Sequence, residues 1–90
     1  MEFEWDPEKA ERNEGKHGVS FKDAATVFGD PLSLDFDDPD HLAEELRSLI
    51  VGQSEQGRLL IVAYTERGRK VRIISAREVT RGEREQYENG

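Results

Sequence analysis

The stretch RLLIVAYTERGRKVRIISAR, from Arg58 to Arg77, decides the fold of this 90-residue chain. Two apolar runs, Leu59 to Tyr64 and Val71 to Ala76, are rich in the β-branched and aromatic residues that fit a pleated, half-buried surface. The polar ERGRK between them supplies Gly68 for a turn, so the pattern predicts a β-hairpin. Arg58, Arg67, Arg69, Lys70, Arg72 and Arg77 decorate it, which concentrates positive charge in a chain of net charge -7. Strict alternation puts Arg72 on the face of Ile74 and Ala76, and Arg77 on the face of Val71, Ile73 and Ser75. The two arginines share a face only if a bulge or a strand end re-aims one of them.

Outward from the hairpin, Thr80 and Glu83 form a capping box that predicts a final helix over TRGEREQYE, from which Tyr87 can fold back. On the other side, Leu46 to Val51 reads as a strand ending at Gly52. SEQG then turns the chain into the Arg58 strand, with Gly57 suited to positive φ. Leu32, Leu34 and Phe36 alternate with Ser33 and Asp35 as a further strand. At the N-terminus Phe3 and Trp5 alternate with acidic residues, which fits a short strand with one buried face. Asp6 as N-cap and Pro7 at the first helical position then open a helix through EKAERNEGK that Gly15 or Gly18 can end. Ala10 is its one clear core residue, so tertiary contacts must hold it. Ser20 with Asp23 resembles a short capping box. Phe21, Ala24, Ala25 and Phe28 recur at helical spacing, predicting a second helix from Phe21 to about Phe28.

These elements predict one α+β domain over residues 1–90, with an N-terminal αα-hairpin packed on an antiparallel β-sheet meander and a short C-terminal helix. Cysteine is absent, which removes disulfides and thiolate chemistry. No apolar run approaches a membrane span and MEFEWDPEK lacks the features of a signal peptide, so a cytoplasmic protein is expected. The acidic run DFDDPDHLAEE, which contains His41, misses the glycine of a calcium loop and is interrupted by Pro39, so no metal site is expected there. Charge is segregated. Residues 1–46 carry 14 acidic and 4 basic residues, a net of -10, whereas residues 47–90 carry 6 and 9, a net of +3. That division suggests an acidic face for a basic partner and a basic face for an anion.

Three motifs in order carry a family resemblance over nearly the whole chain: FEWDPEKAERNEGKHGVSFKDAATVFGDP, then IVGQSEQGRLLIVAYTERG, then VRIISAREVTRGERE. Together they resemble the BrnT family of type II toxin-antitoxin toxins. The resemblance implies a RelE-like fold, ribonuclease activity that inhibits translation, and neutralisation by a BrnA-like antitoxin with a ribbon-helix-helix DNA-binding region, usually encoded beside the toxin. DNA is then reached only through the antitoxin, and the RNA substrate can be ribosome-associated.

The residues suit that chemistry. Cleavage without a metal or other cofactor needs the 2′-OH deprotonated, the phosphorane charge stabilised and the leaving oxygen protonated; arginine serves the charge best because it binds phosphate bidentately. Arg47, Arg58, Arg72 and Arg77 are the candidates for a phosphate clamp, with Arg67, Arg69 and Lys70 on the flanking backbone and Tyr64 to stack a base. His17 is the candidate for acid-base work, since histidine is the side chain that changes charge near neutral pH, with Lys16 beside it. At the end of a helix, however, it equally completes a cap. Glu45 is a candidate base close to Arg47 in sequence. The competing reading is a non-catalytic module whose acidic face recruits a basic protein.

Overall fold

The computed structural model describes residues 1–37 and 47–89. The hairpin forms as β4 (Leu59–Arg67) and β5 (Lys70–Glu78), each longer than its apolar run, with Gly68 at φ 62 in the turn. β3 (Ser48–Gln53) pairs antiparallel with β4, and β2 (Leu34–Asp37) pairs antiparallel with β3, as short connections favour. Gly57, at φ 80, allows the turn between β3 and β4. The strand predicted from Leu46 begins at Ser48 among the described residues, and His41 and Glu45 lie outside them.

The sheet departs from the expected antiparallel meander at its other edge. β1 (Glu2–Glu4) runs parallel to β5, with Phe3 opposite Val71, giving a mixed five-stranded order β1-β5-β4-β3-β2. The chain between β1 and β5 contains the helical segment and three further strands, ample length for the crossover that a parallel pairing requires. Phe3 gains burial against Phe28, with ring centroids 5.2 Å apart.

One face of the sheet carries the main core. Leu60, Val62, Tyr64, Val71, Ile73 and Ala76 pack with Val19, Phe21, Ala24 and Val27. The last four come from α2 (Phe21–Thr26), the residues before it, and the 3-10 turn Val27–Gly29 that continues it; the helix predicted to Phe28 therefore tightens at Thr26. Burying each of the larger side chains is worth about 1.5–3 kcal/mol. Ser20 Oγ accepts the Asp23 N–H at 3.0 Å, forming one arm of the expected box.

α1 (Pro7–His17) lies beside β5. Asp6 accepts the Glu8 N–H, and Gly18 ends the helix at φ 69. With only Ala10 as an apolar anchor, its attachment is polar. Buried Asn13 donates to Ala76 O at 2.8 Å and Val19 O at 3.0 Å, and its Oδ1 accepts the Ala76 N–H at 3.1 Å. The Asn13 amide thus takes the place of a neighbouring strand on β5 beyond the end of β1.

The opposite face is covered more sparsely. Val51, Leu59 and Ile61 form a second cluster with Leu49, Val79 and Tyr87. Tyr87 comes from α3 (Arg81–Asn89), the helix that the Thr80 and Glu83 box predicts; both arms of the box form, Glu83 N–H to Thr80 Oγ1 and Thr80 N–H to Glu83 Oε1. Asp30 fastens α3 to the sheet by accepting the Tyr87 hydroxyl and the Gln53 N–H, each at 2.8 Å, and the Leu32 N–H at 2.9 Å. The Gln53 and Leu32 amides hold its carboxyl below the ordinary range.

β5 also answers the question of the two arginines. Ala63 pairs with Ser75 but Tyr64 pairs with Ile73, so Ile74 is a bulge. Arg77 then lies opposite Ile61 and Arg72 opposite Thr65, which puts both on the sparsely covered face.

Candidate nucleic-acid site

On that face, α1, the start of β3 and the end of β5 bring His17, Arg47 and Arg77 to one shallow cleft of about 350 Å³, floored by Leu49, Ile61, Ala63 and Ser75. Among the described residues no carboxylate lines it. Arg47 enters just before β3, and its Nε is buried without a hydrogen-bond partner. A buried, unpaired guanidinium N–H is a donor in want of an acceptor. His17 stands in the last turn of α1, where a cation also complements the helix dipole; Lys16, beside it, is exposed.

Arg77 is held. Its Nη1 and Nη2 donate to Glu83 Oε1 and Oε2 at 2.9 and 3.0 Å, a bidentate pair. The Arg77 guanidinium, then the Thr80 N–H, bring the Glu83 carboxyl down to about 2, and Arg77 is itself shifted upward by the same pair. Sequence reasoning treated Glu83 only as a cap. The signal was present, since a residue fixed at the third position of α3 sits six residues from Arg77, but which cation it would face depends on how α3 folds back.

The other candidates lie elsewhere. Arg72 Nη1 donates to Glu4 at 2.8 Å across the parallel β1–β5 pair. Arg58 donates to Gly18 O at 2.7 Å and pairs with Glu78 at 3.4 Å, tying the end of α1 to the sheet rather than lining the cleft. Arg67, Arg69 and Lys70 are exposed at the far end of the hairpin. Tyr64 is on the helix-covered face, 6% exposed, edge-on to Phe28 at 4.9 Å and bonded through its hydroxyl to Asp35, so its ring has no open side for a base. Burial, reinforced by Asp35, pushes its phenol strongly upward. Among the described residues no three metal-ligating side chains gather, and no helix is long and apolar enough to cross a membrane.

Comparison with known proteins gives this geometry a context. The family described as ribonuclease toxin, BrnT, of type II toxin-antitoxin system matches residues 5–83. The fold is similar to the 1.1 Å crystal structure of the Brucella abortus ribonuclease toxin BrnT, with a TM-score of 0.66 over 90% of this chain and 99% of that one. Sequence identity is 21%, so that likeness speaks for the fold alone. No curated protein matches the chain. Because the family match runs from Trp5 into the first turn of α3 and takes in every strand but β1, the chain belongs to the BrnT family of ribonuclease toxins.

Proposed function

We propose that this toxin cleaves RNA in the cleft between His17, Arg47 and Arg77, without a metal ion, by attack of a ribose 2′-OH on the adjacent phosphodiester. The observation that carries the reading is the meeting of two guanidinium groups and an imidazole, delivered by three separate elements, in a cleft that no carboxylate lines among the described residues. In the reaction the 2′-oxygen bonds to phosphorus and the bond to the 5′-oxygen breaks. A base accepts the 2′-OH proton, and an acid returns one to the leaving oxygen, leaving a 2′,3′-cyclic phosphate and a 5′-hydroxyl. Arg47, with its unpaired Nε, and Arg77 donate to the non-bridging oxygens, where charge accumulates. His17 transfers the proton. Glu45 is retained as a second proton carrier on its nearness to Arg47 in sequence. For Arg77 to serve, the Glu83 carboxylate must be exchanged for a phosphate, whose two non-bridging oxygens can likewise accept from both guanidinium nitrogens.

The same reading includes a RelE-like classification, action in the cytoplasm, and neutralisation by a BrnA-like ribbon-helix-helix antitoxin. Family membership supports an antitoxin and an RNA substrate. A net charge of -7 opposes binding of bare RNA outside this cationic island, so placement of the substrate by the ribosome is part of the proposal. The test is cleavage of a labelled RNA in EDTA, with and without ribosomes. Cyclic-phosphate ends are expected, and Arg47→Ala or Arg77→Ala should lower kcat/KM by about 10²-fold or more. Undiminished cleavage by the double variant would remove the site from the reading.

A further inference from the structure

The second concavity of the open face lies between β2 and α3. It measures about 410 Å³ and is walled by Leu34, Phe36, Val51 and Tyr87. Leu34 and Phe36 remain 42% and 45% exposed, and Leu32, at the approach to β2, is 73% exposed. These are three of the four large apolar side chains left open among the described residues; the fourth is Met1. β2 is also the last strand of the sheet, with an unpaired outer edge among the described residues. An apolar patch beside an open strand edge is a place where another chain gains both burial and backbone hydrogen bonds.

The charge around it selects the occupant. Asp37 lines the groove and Glu88 flanks the neighbouring surface beside Leu32 and Tyr87, while Glu83 and Arg77, the one cation of the lining among the described residues, offset each other as an ion pair. This rim repels nucleic acid. A second copy placed symmetrically would bring the same carboxylates against themselves, because a two-fold interface joins identical patches. We infer that the groove between β2 and α3 is the docking surface for a protein segment whose apolar side chains enter beside Phe36 and whose Lys or Arg side chains meet the carboxylate rim. This inference rests on the toxin reading in taking that segment to be part of the antitoxin. Leu49, Ile61 and Arg77 line both concavities, so the docked segment reaches the edge of the RNA cleft. Binding there would inhibit by covering Arg77.

The experiment is titration calorimetry of the full chain against the purified protein encoded by the adjoining reading frame. Leu34→Asp combined with Phe36→Asp should weaken binding at least 100-fold. Asp37→Lys, which leaves the apolar wall intact, should weaken it about tenfold and flatten its salt dependence. Thermal unfolding of each variant checks that it is folded, and RNA cleavage by the free variants should stay within threefold of wild type. Binding within threefold of wild type for a folded pair variant overturns the inference while leaving the ribonuclease reading intact. Weakened binding by a protein that cleaves no RNA sustains the docking surface and defeats the toxin reading. Two other results also overturn it: a concentration-dependent dimer abolished by Phe36→Asp, or protection of β2 amides by an RNA oligonucleotide in place of the protein.

Discussion

Glu83 and Arg77 form a two-pronged ion pair in which a single carboxylate both starts α3 and holds the arginine of the cleft. The helix cap and the proposed RNA site therefore share an atom, Glu83 Oε1, and a change at one is expected to be read out at the other.

Replacing Glu83 by Gln should lower stability near neutral pH by about 1 kcal/mol, the scale of a lost cap with a screened ion pair. Solvent discounts this pair, since its side chains are 33% and 40% exposed. The Glu83 carboxyl stands at about 2 in the folded chain against an ordinary 4.5. A lowered folded value means that its contribution is complete above about 4.5 and disappears as pH falls toward 2. Urea unfolding of wild type and Glu83→Gln from pH 7 to 2 should show two curves that differ at the top of the range and converge at the bottom.

Arg72 and Arg77 share a face but should separate by readout. Arg77→Ala is expected to cost about 10²-fold in RNA cleavage. Arg72→Ala leaves cleavage within about threefold and instead loosens β1, since Glu4 loses its partner, by up to about 1 kcal/mol. Rate measurements beside denaturation curves would sort the two. An Arg72→Ala enzyme as slow as Arg77→Ala would place the scissile phosphate further along β5.

Asn13→Ala should be the most damaging polar substitution in the chain, at about 3 kcal/mol, because it strands the Ala76 N–H, the Ala76 carbonyl and the Val19 carbonyl in a buried site. A shift in denaturation midpoint is the measure. A loss well under 1 kcal/mol would mean that water enters and replaces the amide.

Gly52→Ala should cost about 2 kcal/mol. A methyl there would sit 3.0 Å from both Ser33 Cβ and Val27 Cγ1 and 3.1 Å from Asp30 Oδ2. The displaced Asp30 carboxylate would also release Tyr87, so near-ultraviolet circular dichroism should change along with the melting temperature.

Much of this could be read from the sequence because the signals are local. Asp6, Pro7, Ser20 and Thr80 set the helix starts, Gly18, Gly57 and Gly68 take the left-handed positions, and the apolar runs of β4 and β5 pair as a hairpin. What escaped is non-local. Nothing in EFE says that it will run parallel to a strand near the other end of the chain, nothing in RIIS says that Ile74 will bulge, and nothing in AERNEGK marks Asn13 as a surrogate strand. The site shows the same limit. That His17, Arg47 and Arg77 are basic was plain, whereas the partners that occupy Arg58, Arg72 and Arg77, namely Glu78, Glu4 and Glu83, follow only from the fold. Tyr64 was misplaced for one reason: with two usable faces on the strand, composition does not say which one a helix will cover.

The parallel seat of β1 imposes a timetable on the chain as it is made. Glu2 rests against Lys70 and Asn13 against Ala76, so neither the first strand nor α1 can dock until β5 has been synthesised. At about 5–20 residues per second that is an interval of several seconds. During it the emerging chain lacks Arg77 and the seat of α1, and hence an assembled cleft. The cationic groups of the cleft therefore come together late, only once β5 has joined the sheet.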